Sequence, residues 1–89
     1  RKAQAATHSL STNRLHLINL MRMDFPLRFG HRVKERRKVL GLSQDALAEK
    51  CGMHRTYIGS IERGERNITL INADRIAKSL DIELSELVK

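Results

Sequence analysis

Between residues 27 and 89 apolar side chains recur every three or four positions, and glycines cut the pattern into short lengths. That spacing is one face of a 3.6-residue helix, and no stretch alternates with a strand's period of two for long enough to matter. Phe29, Val33 and Leu40 mark one face of a first helix, which Gly41 ends. Ser43 is a good N-cap for a second helix, and Asp45 stands in its first turn, where the dipole favours an anion. Leu47, Ala48 and Cys51 continue it, and Gly52 suits a left-handed C-cap. A third helix is expected from about Arg55, with His54 near its N-cap, Ile58 and Ile61 inward and Gly64 as its stop. Thr69 caps a fourth, whose inward face is Leu70, Ala73, Ile76, Ala77 and Leu80. Asp81 breaks that run, and Ile82, Leu84, Leu87 and Val88 form a short apolar turn or helix. The expectation is an all-α, five-helix domain over residues 27–89.

The second and third helices are each about eight residues long and meet at a Gly-centred turn. Such a pair is a helix-turn-helix, whose second helix fits the major groove of DNA. The charge agrees. The 89 residues carry a formal net charge of +7, which points to a polyanionic partner, either nucleic acid or a membrane surface. No apolar run approaches the ~20 residues of a membrane span. Aromatic content of 3% argues against base-stacking platforms. The charge is concentrated, with +5 between Arg28 and Arg66, −1 from Asn67 to Lys89 and +3 over residues 1–26. A single cysteine forms no internal disulfide, which fits the reducing cytoplasm. Residues 1–26 read either as an upstream extension or as a basic N-terminal arm touching DNA or a partner.

The run Gly41-Leu42-Ser43-Gln44-Asp45-Ala46-Leu47-Ala48-Glu49-Lys50-Cys51-Gly52 resembles the first half of the motif in the Cro/repressor (XRE) superfamily. Met53-His54-Arg55-Thr56-Tyr57-Ile58-Gly59-Ser60-Ile61-Glu62-Arg63-Gly64 resembles the second half. Asn67-Ile68-Thr69-Leu70 and Ile76-Ala77-Lys78-Ser79-Leu80 match the helix that follows. The resemblance covers residues 27–89 and implies a lambda-repressor-like fold. Within the superfamily, His-Arg-Thr-Tyr-Ile followed by Glu-Arg-Gly-Glu-Arg-Asn is similar to controller proteins of restriction–modification systems, domain-sized regulators that work as dimers. Phage Cro-like repressors and antitoxins share most of these features.

On this reading Arg55, Thr56 and Ser60 lie on the outer face of the reading helix, with His54 at its start. Arg55 is the candidate for a guanine, because its fork matches O6 and N7 together. Thr56 suits a thymine methyl or a phosphate. His54 is either a cap residue or a groove contact. Ser43 and Gln44 open the second helix, where Gln44 either supports the cap or donates to a phosphate. Tyr57 packs at the helix margin or places its hydroxyl on a phosphate. Arg63, Arg66 and Asn67 are assigned to phosphates by the resemblance. Gly59 departs from the superfamily, which usually has a side chain there. Close approach of backbone to DNA is one reason for it.

Resemblance to phage repressors implies an ion pair between Arg37 and Glu62. Arg37 also falls on the apolar face of helix one, four residues after Val33, which independently suggests partial burial. Cys51 reads as a small buried hydrophobe, and with His54 it gives too few ligands for a metal. His31 near Glu35 is an acid–base pair on a helix exterior without a nucleophile or Gly-rich loop, so no enzyme and no cofactor is implied. The cluster Ile82, Leu84, Leu87 and Val88 is more apolar than closing the core requires, and its surplus suggests a homodimer interface. The expected function is a regulator of transcription that binds double-stranded DNA, with contact to RNA polymerase open. The competing reading is an antitoxin-type module whose protein partner matters as much as DNA.

Overall fold

The computed structural model describes residues 25–89, and the arm expected over residues 1–26 falls almost wholly outside them. Five helices follow one another: α1 Phe25–Val39, α2 Gln44–Cys51, α3 Arg55–Glu62, α4 Leu70–Ser79 and α5 Leu84–Leu87. Among the described residues there is no strand, and no helix is long and apolar enough to cross a membrane.

The expected caps form. Ser43 Oγ accepts from Ala46 N at 3.0 Å, and Thr69 Oγ1 accepts from Asn72 N at 3.1 Å. Each satisfies one backbone donor that a helix start leaves open. Gly52 ends α2 with φ 71° and ψ 36°, a region that costs glycine nothing and a branched side chain a good deal.

Phe29, Val33, Leu47, Ala48, Cys51, Ile58, Ile61, Ala73, Ile76, Ala77, Leu80 and Leu87 form one buried cluster. Two expected core positions are outside it. Leu40 lies beyond the end of α1, in the turn, where helical spacing no longer aims it inward. Leu70 is the first residue of α4, ahead of Ala73, the first buried residue of that helix. It is 73% exposed, and its neighbour Ile71 is 74% exposed.

The C-terminal segment is tied to α1 by arginines. Arg36 donates from Nε to Leu80 O at 3.0 Å and from Nη2 to Asp81 O at 3.1 Å. Arg28 and Arg32 donate to Lys89 O at 3.2 and 3.3 Å. Leu87, expected at a dimer interface, is instead 1% exposed, because this tethering folds α5 onto the core. Ile82 and Leu84 are half-buried against the same cluster, which leaves Val88, 37% exposed, as the outward member.

Candidate nucleic-acid interface

Three contacts hold α3 in place. Ile58 and Ile61 are buried in the core. Gly30 of α1 meets α3 backbone to backbone: a Cβ there would run into the carbonyl oxygen of Ile61 and reach 3.0 Å from the Glu62 carbonyl. Beside it, Arg37 grips Glu62 with two parallel bonds, Nε to Oε2 at 2.6 Å and Nη2 to Oε1 at 2.9 Å. Arg37 Nη1 donates to Leu42 O at 2.9 Å, and Gln44 Nε2 donates to Glu62 Oε1 at 3.0 Å. The carboxylate thus receives three donors from two helices. The Glu62 hydrogen bond holds the Arg37 guanidinium above its ordinary range, against the opposing pull of burial. Both residues are 8% exposed, so the pair links α1 to α3 out of reach of solvent.

The outer face is narrower than the spacing predicts. His54 is the N-cap residue of α3 and makes no side-chain cap bond. With Arg55 and Thr56 it stands exposed at the helix start. The Arg55 side chain is 62% exposed, and its Nε lies 3.6 Å from Asp45 Oδ1 on α2.

Ser60 does not join them. It is 5% exposed, donates to Tyr57 O at 2.7 Å and accepts from Arg66 Nε at 3.2 Å. The cause lies in the chain after α3, which folds back along the second turn. The Arg66 guanidinium covers Ser60 and sits 5.7 Å from the centre of the Tyr57 ring. Arg63 and Gln44 reach over Gly59, where a Cβ would find Arg63 Nη1 at 3.2 Å and the Gln44 amide at 3.7 and 3.8 Å. Gly59 therefore makes room for these two side chains.

The remaining expected contacts divide into exposed and engaged groups. Ser43 and Asn67 are exposed. Arg63 is exposed and donates to both oxygens of Glu65, at 2.9 and 3.1 Å. That bond raises the arginine and lowers the Glu65 carboxyl. The Tyr57 hydroxyl accepts from Asn72 Nδ2 at 3.2 Å, so the half-buried ring packs at the helix margin. Cys51 is buried, and burial pushes its thiol up.

Sequence reasoning passed over Gly30, although Gly30, Val33 and Arg37 follow one another at i, i+3 and i+7, the spacing of a buried stripe. The link from Asp45 to Arg55 had no such signal, because it joins two helices that periodicity treats separately.

The arrangement agrees with known proteins. The helix-turn-helix family designated HTH_3 matches residues 33–87. The control protein C.MunI of a Mycoplasma species is 45% identical over 65 residues, which span 72% of this chain and 88% of that protein. The restriction–modification controller C.AhdI from Aeromonas hydrophila superposes with a TM-score of 0.68 at 47% identity, over 70% of this chain and 94% of that one. The regulator SinR, solved in complex with DNA, superposes with a TM-score of 0.66 at 34% identity, over 68% of this chain and 98% of that one. With the helix-turn-helix and the Arg37–Glu62 pair inside the matched span, the chain belongs to the helix-turn-helix family of DNA-binding transcription regulators, the Cro/repressor (XRE) type, and is similar there to the controllers of restriction–modification systems.

Proposed function

We propose that this chain is a sequence-specific regulator that binds a palindromic operator as a homodimer, in the manner of a restriction–modification controller. One observation carries the reading. Arg55 and Thr56 stand exposed on the first turn of a helix that is otherwise buried from Ile58 to Glu62. Recognition helices of this kind read bases with their N-terminal residues.

Arg55 takes a guanine edge, Thr56 a thymine methyl or phosphate, and His54 a groove or backbone atom. Ser43, Gln44, Tyr57, Arg63, Arg66 and Asn67 line the DNA backbone and set orientation without reading sequence. Ser60 acts at one remove, by holding Arg66. Occupancy of the operator blocks RNA polymerase or recruits it through direct contact. Residues 27–89 carry this activity, and residues 1–26 are either an upstream extension or a basic arm that touches DNA or a partner.

The apolar surface best suited to a two-fold contact is Leu70 and Ile71. They adjoin the loop after α3, so a contact there fixes the separation of the two reading helices. Two copies then place those helices roughly 34 Å apart, one turn of DNA.

Selection of bound sequences from randomised duplexes tests the reading. A shared palindrome is the expected result, and its absence refutes sequence-specific regulation. Sedimentation at high micromolar concentration tests the dimer: a pure monomer refutes it, and Ile71→Glu should produce one.

A further inference from the structure

We propose that Asp45 is a positioning residue that sets the sequence preference of Arg55, an inference that rests on Arg55 reading a base. Arg55 extends from the first residue of α3 and is 62% exposed, so nothing in the core fixes its rotamer. Four residues further on is Gly59, which offers no side chain to brace it. Among the described residues, the partner of the guanidinium is Asp45 in the first turn of α2. That turn is itself fixed, by the Ser43 cap on one side and the Gln44–Glu62 bond on the other.

The atom that Asp45 engages matters. Its carboxylate comes nearest to Nε, at 3.6 Å, and a contact on that side does not use the planar pair of donors formed by the two terminal nitrogens. A guanine presents O6 and N7 side by side in the major groove, and such a pair of donors matches them. A carboxylate here also carries a cost, since it brings negative charge toward phosphates. A residue that weakens binding to all DNA while orienting the base reader exchanges affinity for discrimination.

The test compares the full chain with its Arg55→Ala, Asp45→Asn, Asp45→Glu and Asp45→Asn/Arg55→Ala variants. Each is assayed by selection from randomised duplexes, and by anisotropy on the selected and a scrambled duplex at fixed salt. Asp45 and Arg55 are both exposed, so the thermal midpoint should fall by no more than a few degrees, the share of the Asp45 charge at the start of α2. Arg55→Ala should relax one position per half-site. Asp45→Asn should lower the preference at that same position by about two- to fivefold, the range of an exposed ion pair. Its binding to the scrambled duplex should rise. Asp45→Glu should restore the preference, and Asp45→Asn should change no preference once Arg55 is alanine. The proposal is overturned if Asp45→Asn leaves that position unaltered, alters a different position, or acts equally without Arg55. If Arg55→Ala leaves every preference intact, the premise fails, and that result is distinct from failure of Asp45 alone.

Discussion

Replacing Glu62 by alanine should cost the domain most of its stability. The substitution removes both bonds to Arg37 and the acceptor for Gln44 Nε2. The Arg37 side chain, 10% exposed, would then be a buried cation keeping only its bond to Leu42 O. Stranding one member of a buried pair typically costs about 3–5 kcal/mol. A domain of this length is expected to be stable by roughly 3–10 kcal/mol. Glu62→Ala should therefore be near its unfolding midpoint at 37 °C, and its urea midpoint should fall by at least ~1 M, given slopes of about 1–3 kcal/mol/M. The control is the double variant Arg37→Met/Glu62→Leu, which removes the charge and its need for a partner together. It should recover most of the loss. DNA binding by that variant, measured well below its midpoint, should still be weakened, because the two helices lose the fork that fixes their angle. If Glu62→Ala costs under ~1 kcal/mol, or the double variant is no better than the single one, the account of this pair is wrong.

Other substitutions test the remaining contacts. Gly30→Ala drives a methyl into the Ile61 carbonyl, and overpacking of this kind costs about 1–3 kcal/mol. Calorimetry should show a midpoint lower by about 4–8 °C for each kcal/mol lost. Gly59→Ala meets only the end of the flexible Arg63 side chain, at 3.2 Å. It should stabilise the fold by about 0.5–1 kcal/mol through helix propensity, while urea titration and anisotropy together should show weaker DNA binding as Arg63 is displaced. The Cys51 thiol, buried and raised in pKa, should resist alkylation at pH 8 in the native protein and react freely in urea; rapid native labelling would refute its burial. Because its folded pKa is raised, the stability it confers is full below the unfolded-state value and declines as pH climbs past it toward the folded one.

Most of the fold was legible because α2 and α4 each follow a single rule, a cap followed by an apolar stripe, and α3 keeps the stripe without a side-chain cap. Ser43, Gly52 and Thr69 act as their residue types predict. Periodicity fails where a helix stops. Leu40 and Leu70 continue the spacing on paper but lie past the last turn or at the first one, and both fall outside the buried core. The site was harder to read. Thr56 and Ser60 share a face by the i, i+4 rule, yet the loop carrying Arg66 returns over the second turn and buries Ser60. A rule about one helix cannot foresee a long side chain arriving from beyond it. Leu87 failed for a related reason: the arginines of α1 that fold the chain end inward are more than 40 residues away in sequence.

The division of α3 between an anchored side and an open one affects how such a regulator can change. Ile58, Ile61 and Glu62 face the core and α1, and altering them endangers the fold. Arg55 and Thr56 touch nothing in the core. Their replacement should retarget the protein to a different operator with little thermodynamic penalty, since exposed sites usually tolerate substitution within about 0.5 kcal/mol. Two copies of this scaffold in one cell could then become mutually insulated by changes at a few exposed positions. The open side would set the address each one answers to, while the anchored side remained common to both.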